Sequence, residues 1–268
     1  MVKQLVPDDL WIIVGPLLPP EPPKPNGGRP RVPDRVALAG IIYVLKSGIP
    51  WGMLPKELGF GSGVTCWRRL RDWHKAGVWR RLHRASCSTN WAKPDCDRLV
   101  KGESGFGYGP CQKGGTRTGP NPLDRGRPGS KRHVVTDARG VPLAIALTGA
   151  HVHDSKMFED LIDSIVPVRG KRGRPRRRPE KLHADKGYDY PRCRRFLRKC
   201  GIQARIARRG VESGERLGRH RWVVERTLAW LSRCRRLCVR YERRADIHEA
   251  FLVLCCALIC LSYLRHAF

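Results

Sequence analysis

The sequence predicts an α/β protein, a mixed β-sheet flanked by helices and preceded by a small all-α module. Three observations carry that expectation. Through residue 85, apolar positions recur at helical spacing between proline- and glycine-rich breaks. From Lys131 onward the pattern changes to strand, strand, helix, strand, helix, strand, helix. With 41% hydrophobic residues in 268, the chain has enough apolar side chains for a substantial core. The charge balance, 53 Lys and Arg against 24 Asp and Glu for a formal net charge of +29, repels itself unless a polyanion is bound, which points to nucleic acid.

The elements follow in order. Asp8 and Asp9 are placed to cap a first helix carrying Leu10, Trp11, Ile13 and Leu17, which the prolines between 19 and 23 end. Asp34 caps a second helix with Val36, Leu38, Ala39, Ile41, Ile42 and Leu45 on its apolar side, broken at Gly48-Ile49-Pro50-Trp51. After the glycines at 59 to 63, Thr65 starts a third helix. It turns Trp67, Leu70 and Trp73 or His74 inward and Arg68, Arg69 and Arg71 outward. A helix exposing arginines after a turn has the form of a helix-turn-helix recognition helix. A surface helix with solvated charges would read the same way.

Residues 86–130 show neither strand nor helix period and end in a long basic loop rich in glycine and proline. Arg132–Asp137 then reads as a strand, Ala138-Arg139-Gly140 as a hairpin turn and Val141–Ala150 as a second strand. Asp154 is placed to cap a helix with Phe158, Leu161, Ile162 and Ile165 as its stripe. Residues 169–178 form an all-basic loop, in which Arg172, Arg174 and Arg176 are candidate phosphate contacts. Lys181–Asp185 is a short buried strand ending at an acid, 191–199 a helix, 201–207 a strand, and a long helix begins near His220. The apolar run 250–264 is shorter than the roughly 20 residues that span a bilayer, so a buried closing helix is expected and no membrane partner. The N-terminus turns acidic too early for a secretory signal. The 11 cysteines lack paired C-x-x-C units and are expected to be reduced thiols in a cytoplasmic, nucleoid-associated protein.

Two acids stand out among the arginines: Asp185, at the carboxyl end of a strand, and Glu225, inside the last long helix. Open sheets present functional side chains at strand ends, and paired carboxylates beside a polyanion-binding surface suit divalent metal ions and phosphoryl transfer. The bland alternatives stay open from spacing alone: Asp185 as a helix cap or a partner of Arg192, and Glu225 paired with Arg221.

Several blocks resemble the bacterial insertion-sequence DDE transposases, whose catalytic domain is RNase H-like. They are the run from Thr118 to His133, Val152-His-Asp-Ser155, Leu182-His-Ala-Asp-Lys186, the run from Arg219 to Leu231, and the run from Val239 to His248. Gly28-Arg-Pro-Arg31 and Gly48-Ile-Pro-Trp51 resemble that family's helical DNA-binding domain. The resemblance implies an RNase H-like sheet over 131–268 and a helix-turn-helix-like domain over 1–85. The irregular 86–130 lies between them, with a degraded first strand within 100–112. It implies Mg²⁺-dependent cleavage and strand transfer on double-stranded DNA, at element ends and target. Two ions are expected, with Mn²⁺ as an alternative, and a homodimer on DNA. Asp185 and Glu225 match the family's second and third acids and would be the metal ligands. Arg221 would lie near the scissile phosphate, and Lys131, Arg132 and His133 would contact DNA. The first acid departs from the pattern. Counting back from Lys113-Gly-Gly places Gly105 there, and Glu103 serves only if two extra residues are accommodated. A glycine-rich stretch also makes a poor central strand. A copy lacking that acid would be an impaired, DNA-binding remnant; a general RNA binder is the remaining alternative.

Overall fold

Among the described residues, the N-terminal apolar spacing folds into five α-helices, α1 (Val2–Leu5), α2 (Asp8–Val14), α3 (Asp34–Ser47), α4 (Gly63–Lys75) and α5 (Val78–Trp91). The structure, a computed structural model, describes residues 1–21, 23, 30–91, 99–103, 108–111, 114–167, 178–208, 210 and 218–265. In α3, Leu38, Ile41, Ile42 and Leu45 are buried as their period requires, and Gly48 ends the helix in the left-handed region at φ 76°. α4 begins two residues earlier than Thr65, because Ser62 caps it by accepting the Thr65 N–H at 3.2 Å. Only glycine fits at its first position: a Cβ on Gly63 would lie 1.7 Å from the Trp51 carbonyl oxygen. Residues 48–62 hold two 3₁₀ turns between α3 and α4, a longer link than the three- or four-residue turn of a helix-turn-helix. The tight turn lies between α4 and α5, at Gly77 with φ 73°.

The strands are β1 (Leu99–Glu103), β2 (Tyr108–Pro110), β3 (Gly119–Pro120), β4 (Pro128–Asp137), β5 (Pro142–Gly149), β6 (Lys181–Ala184) and β7 (Gln203–Ile206). β4 is the long central strand. β5 and β3 run antiparallel along one edge, and β1 and β2 follow each other antiparallel along the other. β6 joins β1 in parallel, and β7 joins β6 in parallel. Read across, the order is β5, β4, β1, β6, β7. β1 thus occupies the middle of the sheet despite its glycine. The β4–β5 hairpin turns where the sequence predicts: Asp137 Oδ1 accepts the N–H groups of Arg139 (2.9 Å) and Val141 (2.8 Å), and Gly140 supplies φ 87°.

Helices cover both faces. α6 (Phe158–Asp163) and α7 (Pro191–Lys199) pack on one, where Val135, Leu143, Phe158, Leu161, Leu182, Ala184 and Leu197 form a core. α8 (Gly218–Ser232), the short α9 (Arg235–Cys238) and α10 (Ala245–Arg265) lie on the other. There Val134, Val224, Leu228 and Phe251 share one apolar cluster with Leu10, Leu38, Ile42 and Trp79 of the N-terminal helices. α10 is long and apolar enough to cross a membrane by length and composition, but its apolar residues are buried against α5, α8 and β5.

Candidate active site

Asp185 directly follows β6. Leu182 and Ala184 point into the α6–α7 core, so the strand's alternation turns His183 and Asp185 toward the face that α8 covers. Its backbone is still extended (φ −74°, ψ 176°), and Oδ1 accepts the Gly187 N–H at 2.8 Å, fixing the carboxyl at the head of a 3₁₀ turn. That turn is tied to the β5–α6 connection. Arg192 donates to Ser155 Oγ at 2.8 Å, and Tyr190 meets His153 edge to face with centroids 5.6 Å apart. The Val152–Ser155 block is therefore a brace for the Asp185 turn. His153, not Asp154, caps the helical turn that follows, with its Nδ1 3.3 Å from the Ser155 N.

β1 ends beside it. Gly102 registers with Ala184 in the parallel pair, so Glu103 and Asp185 each stand one residue beyond the same rung. Across the antiparallel edge, Glu103 registers with Val134, a side chain that packs with α8. The register also absorbs an insertion. From Lys131 to Val134 is three steps along β4, whereas from Tyr108 back to Glu103 is five along the opposite edge. An uninterrupted pairing from Tyr108 would put position 105 against Val134. The two additional residues bring Glu103 there instead.

Glu225 is on α8, which packs across β1 and β4. Val224, Thr227, Leu228 and Leu231 form its buried stripe, and Glu225 borders that stripe as an exposed residue. The helix is pinned by polar bonds as well. Thr227 Oγ1 donates to Gly140 O at 2.7 Å, and Arg226 donates to Arg139 O at 2.5 Å while its guanidinium lies between the rings of Trp222 (4.4 Å) and Trp230 (4.8 Å). β6 and α8 thus bring Asp185 and Glu225 to the same side of the sheet, with backbone position 103 of β1 level with Asp185; carboxylate oxygens are the donors that suit Mg²⁺-class ions. Arg221 sits one helical turn before Glu225 in α8.

The predicted cations divide sharply. Arg68 is exposed on α4, and Arg71 is half-buried, stacked over Trp67 and bonded to Asp72 at 2.8 Å. Arg69 does not face out. It is 7% exposed, pairs with Asp34 at 2.5 Å and donates to Val32 O, joining α4 to α3. The expected DNA contacts Lys131, Arg132 and His133 are also corrected: all three are buried in β4, a strand covered on both faces and paired on both edges. Lys131 Nζ donates to Val152 O at 2.8 Å and pairs with Asp154 at 3.0 Å. His133 Nε2 meets Thr148 Oγ1 at 2.7 Å, and burial pushes its pKa down to about 4. Arg172, Arg174 and Arg176 lie outside the described residues.

One structural residue escaped the sequence reading. Arg240 is fully buried and donates six hydrogen bonds, to the carbonyls of Thr116, Arg117, Glu242 and Arg243 and the hydroxyls of Thr118 and Ser130. Nearby, Arg236 pairs with Glu242 at 2.7 Å. Arg240 is accordingly an internal clamp, and its acceptors, mostly main-chain carbonyls and hydroxyls more than a hundred residues away, leave no mark in the local sequence.

Comparison with known proteins adds to this geometry. Residues 6–83 match a family model described as "Putative transposase of IS4/5 family", and residues 110–260 match one described as "Transposase DDE domain". The chain is 54% identical over 176 residues to the Burkholderia cepacia protein named "Putative transposase for insertion sequence element IS402", covering 66% of this chain and 83% of that one. It is 58% identical over 85 residues to "Insertion element IS402 uncharacterized 16.2 kDa protein" of the same organism, covering 31% of this chain and 58% of that one. No solved structure matches.

Proposed function

The chain belongs to the insertion-sequence transposases of the IS4/5 type with a DDE domain, and from that premise we propose that Glu103, Asp185 and Glu225 form its catalytic acid set on an RNase H-like sheet. The strand order β5-β4-β1-β6-β7, with the first three antiparallel and β1, β6 and β7 parallel, supports the fold. The observation that carries the site is the register: the two-residue slip along β4 that puts Glu103 level with Asp185.

DDE domains use divalent metal ions, and the carboxylates here fit Mg²⁺ by donor chemistry. Such ions, when bound, activate a water or 3′-hydroxyl and neutralise charge on the leaving oxygen. The chain's own part is positioning. The Gly187 N–H fixes the Asp185 carboxyl, the bonds of Thr227 and Arg226 fix the height of Glu225 over the sheet, and β1 delivers Glu103. Arg221, one helical turn before Glu225 in α8, is assigned to the scissile phosphate. Arg68 and Arg71 on α4, with the basic 169–178 loop, hold the phosphates of element-end and target DNA.

The test is Mg²⁺-dependent nicking and strand joining on DNA carrying the element ends. Glu103→Gln, Asp185→Asn and Glu225→Gln should each lower the rate about 10²- to 10⁴-fold, the loss expected when a metal ligand worth several kcal/mol is removed. Full activity in Glu103→Gln overturns the third ligand; full activity in Asp185→Asn overturns the site. The glycine at position 105 favours one second reading, a remnant that binds ends without cutting. Specific end binding with no cleavage by the wild type would establish it.

A further inference from the structure

We propose that His83, Cys87 and Cys260 form a buried site for a zinc-class divalent ion that staples the N-terminal helical module to the catalytic sheet, remote in role from the acid set. His83 and Cys87 are one turn apart on α5 and so share a face, and Cys260 comes from α10, which packs along that face. All three are buried, at 5%, 1% and 0% exposure. Among the described residues, this is the one group of three His, Cys, Asp or Glu side chains whose ligand atoms all lie within 4.8 Å of one another.

The spacing has the right size. Cys87 Sγ and Cys260 Sγ are 3.7 Å apart. A tetrahedral zinc with bonds of about 2.3 Å to sulfur separates two thiolates by about 3.8 Å. The Pro142 carbonyl oxygen, at the start of β5, lies 2.7 Å from His83 Nε2, 3.4 Å from Cys87 Sγ and 3.6 Å from Cys260 Sγ. Binding releases the two thiol protons to solvent, while the imidazole binds as a neutral ring that keeps its proton on the nitrogen turned away from the metal. Two thiolates then balance the dication, so the buried complex carries no net charge and avoids the penalty of an isolated ion. One ion thus joins the end of the helical module to the closing helix, beside the first residue of β5, whose carbonyl lies within hydrogen-bond distance of all three side chains.

The experiment uses the full-length chain purified without chelator. Elemental analysis should give about one zinc per chain, retained after exchange into Mg²⁺ buffer. Replacement by Co²⁺ should give the visible bands of a tetrahedral thiolate complex together with sulfur-to-metal charge transfer in the near ultraviolet. Cys87→Ser and Cys260→Ala should lose both metal and bands. Asp185→Asn, which alters the proposed catalytic site, and Cys234→Ser, in the other buried thiol pair, should keep them. If the serine variant fails to fold, the Co²⁺ spectrum of the wild type decides the matter alone. A folded wild type without bound metal and without the Co²⁺ bands overturns the proposal. So does metal retained by Cys260→Ala, or a Cys87–Cys260 disulfide in the intact mass of protein kept under reductant.

Discussion

Arg240→Met tests whether the internal arginine clamp holds the molecule together. The guanidinium has no exposure and reaches six acceptors between 2.7 and 3.2 Å away. Two of these are hydroxyls free to turn elsewhere, and the Arg117 carbonyl also accepts from Ser130 Oγ at 2.8 Å. The carbonyls of Thr116, Glu242 and Arg243 are left to lose most. At ~1 kcal/mol or more for each orphaned acceptor, plus the packing of a fully buried chain, the loss comes to about 4 kcal/mol. That agrees with the ~3–5 kcal/mol typical of breaking a buried ionic network. Replacing a whole buried pair by apolar groups can be neutral, but here the partners are main-chain carbonyls that no apolar substitution removes. The melting temperature should fall by roughly 8–16 °C, taking ~2–4 °C per kcal/mol for a chain of this size. Arg240→Lys keeps the charge but loses the planar fork and should lie between the two. Circular dichroism melting in one buffer measures all three proteins. A methionine variant melting within about 3 °C of wild type would refute the reasoning.

Three further outcomes are expected. Arg68→Ala should leave melting unchanged and reduce the slope of log affinity for DNA against log salt by about 1, whereas Arg69→Ala should cost about 2 kcal/mol of stability by removing the Asp34 pair and the Val32 bond that join α4 to α3; urea titration beside binding isotherms separates them. His133 is buried with a pKa lowered from 6.5 to about 4. Its contribution is complete above the unfolded value near 6.5 and is lost as pH falls toward 4, up to ~3 kcal/mol. Urea midpoints should thus drop more steeply between pH 7 and 5 for the wild type than for His133→Gln, and equal slopes would count against a neutral buried ring. Gly115→Ala meets φ 122° and a Cβ 2.1 Å from the Arg243 carbonyl oxygen, so it should destabilise by about 2 kcal/mol or more, read as a lower melting temperature.

Much of the architecture was legible because local chemistry decided it. The stripe of α3, the Asp137 hairpin and the acid at the end of β6 each follow from period, turn residues or strand length. What escaped depended on partners far away in the chain. Lys131, Arg132 and His133 look like an exposed basic patch until β4 is seen to be central; Asp154, met only across the sheet, then balances Lys131. Arg69 reads as an outward arginine because its partner Asp34 is on another helix. The glycines around position 105 argued against a central strand. The strand between β4 and β6 is Leu99–Glu103, whose only glycine is Gly102; positions 105 and 107 lie outside the described residues.

The apolar cluster that runs from Leu10, Leu38 and Trp79 through Val224 and Phe251 to Val134 also limits how this chain can be divided. A polypeptide stopping after α5 would carry an uncovered apolar face, and one starting at β1 would leave α10 without its lid. Neither piece keeps a closed interior, so each would depend on the other for solubility and would regain the native form only by complementation. An element that encoded the two parts as separate products would be making two halves of one folding unit.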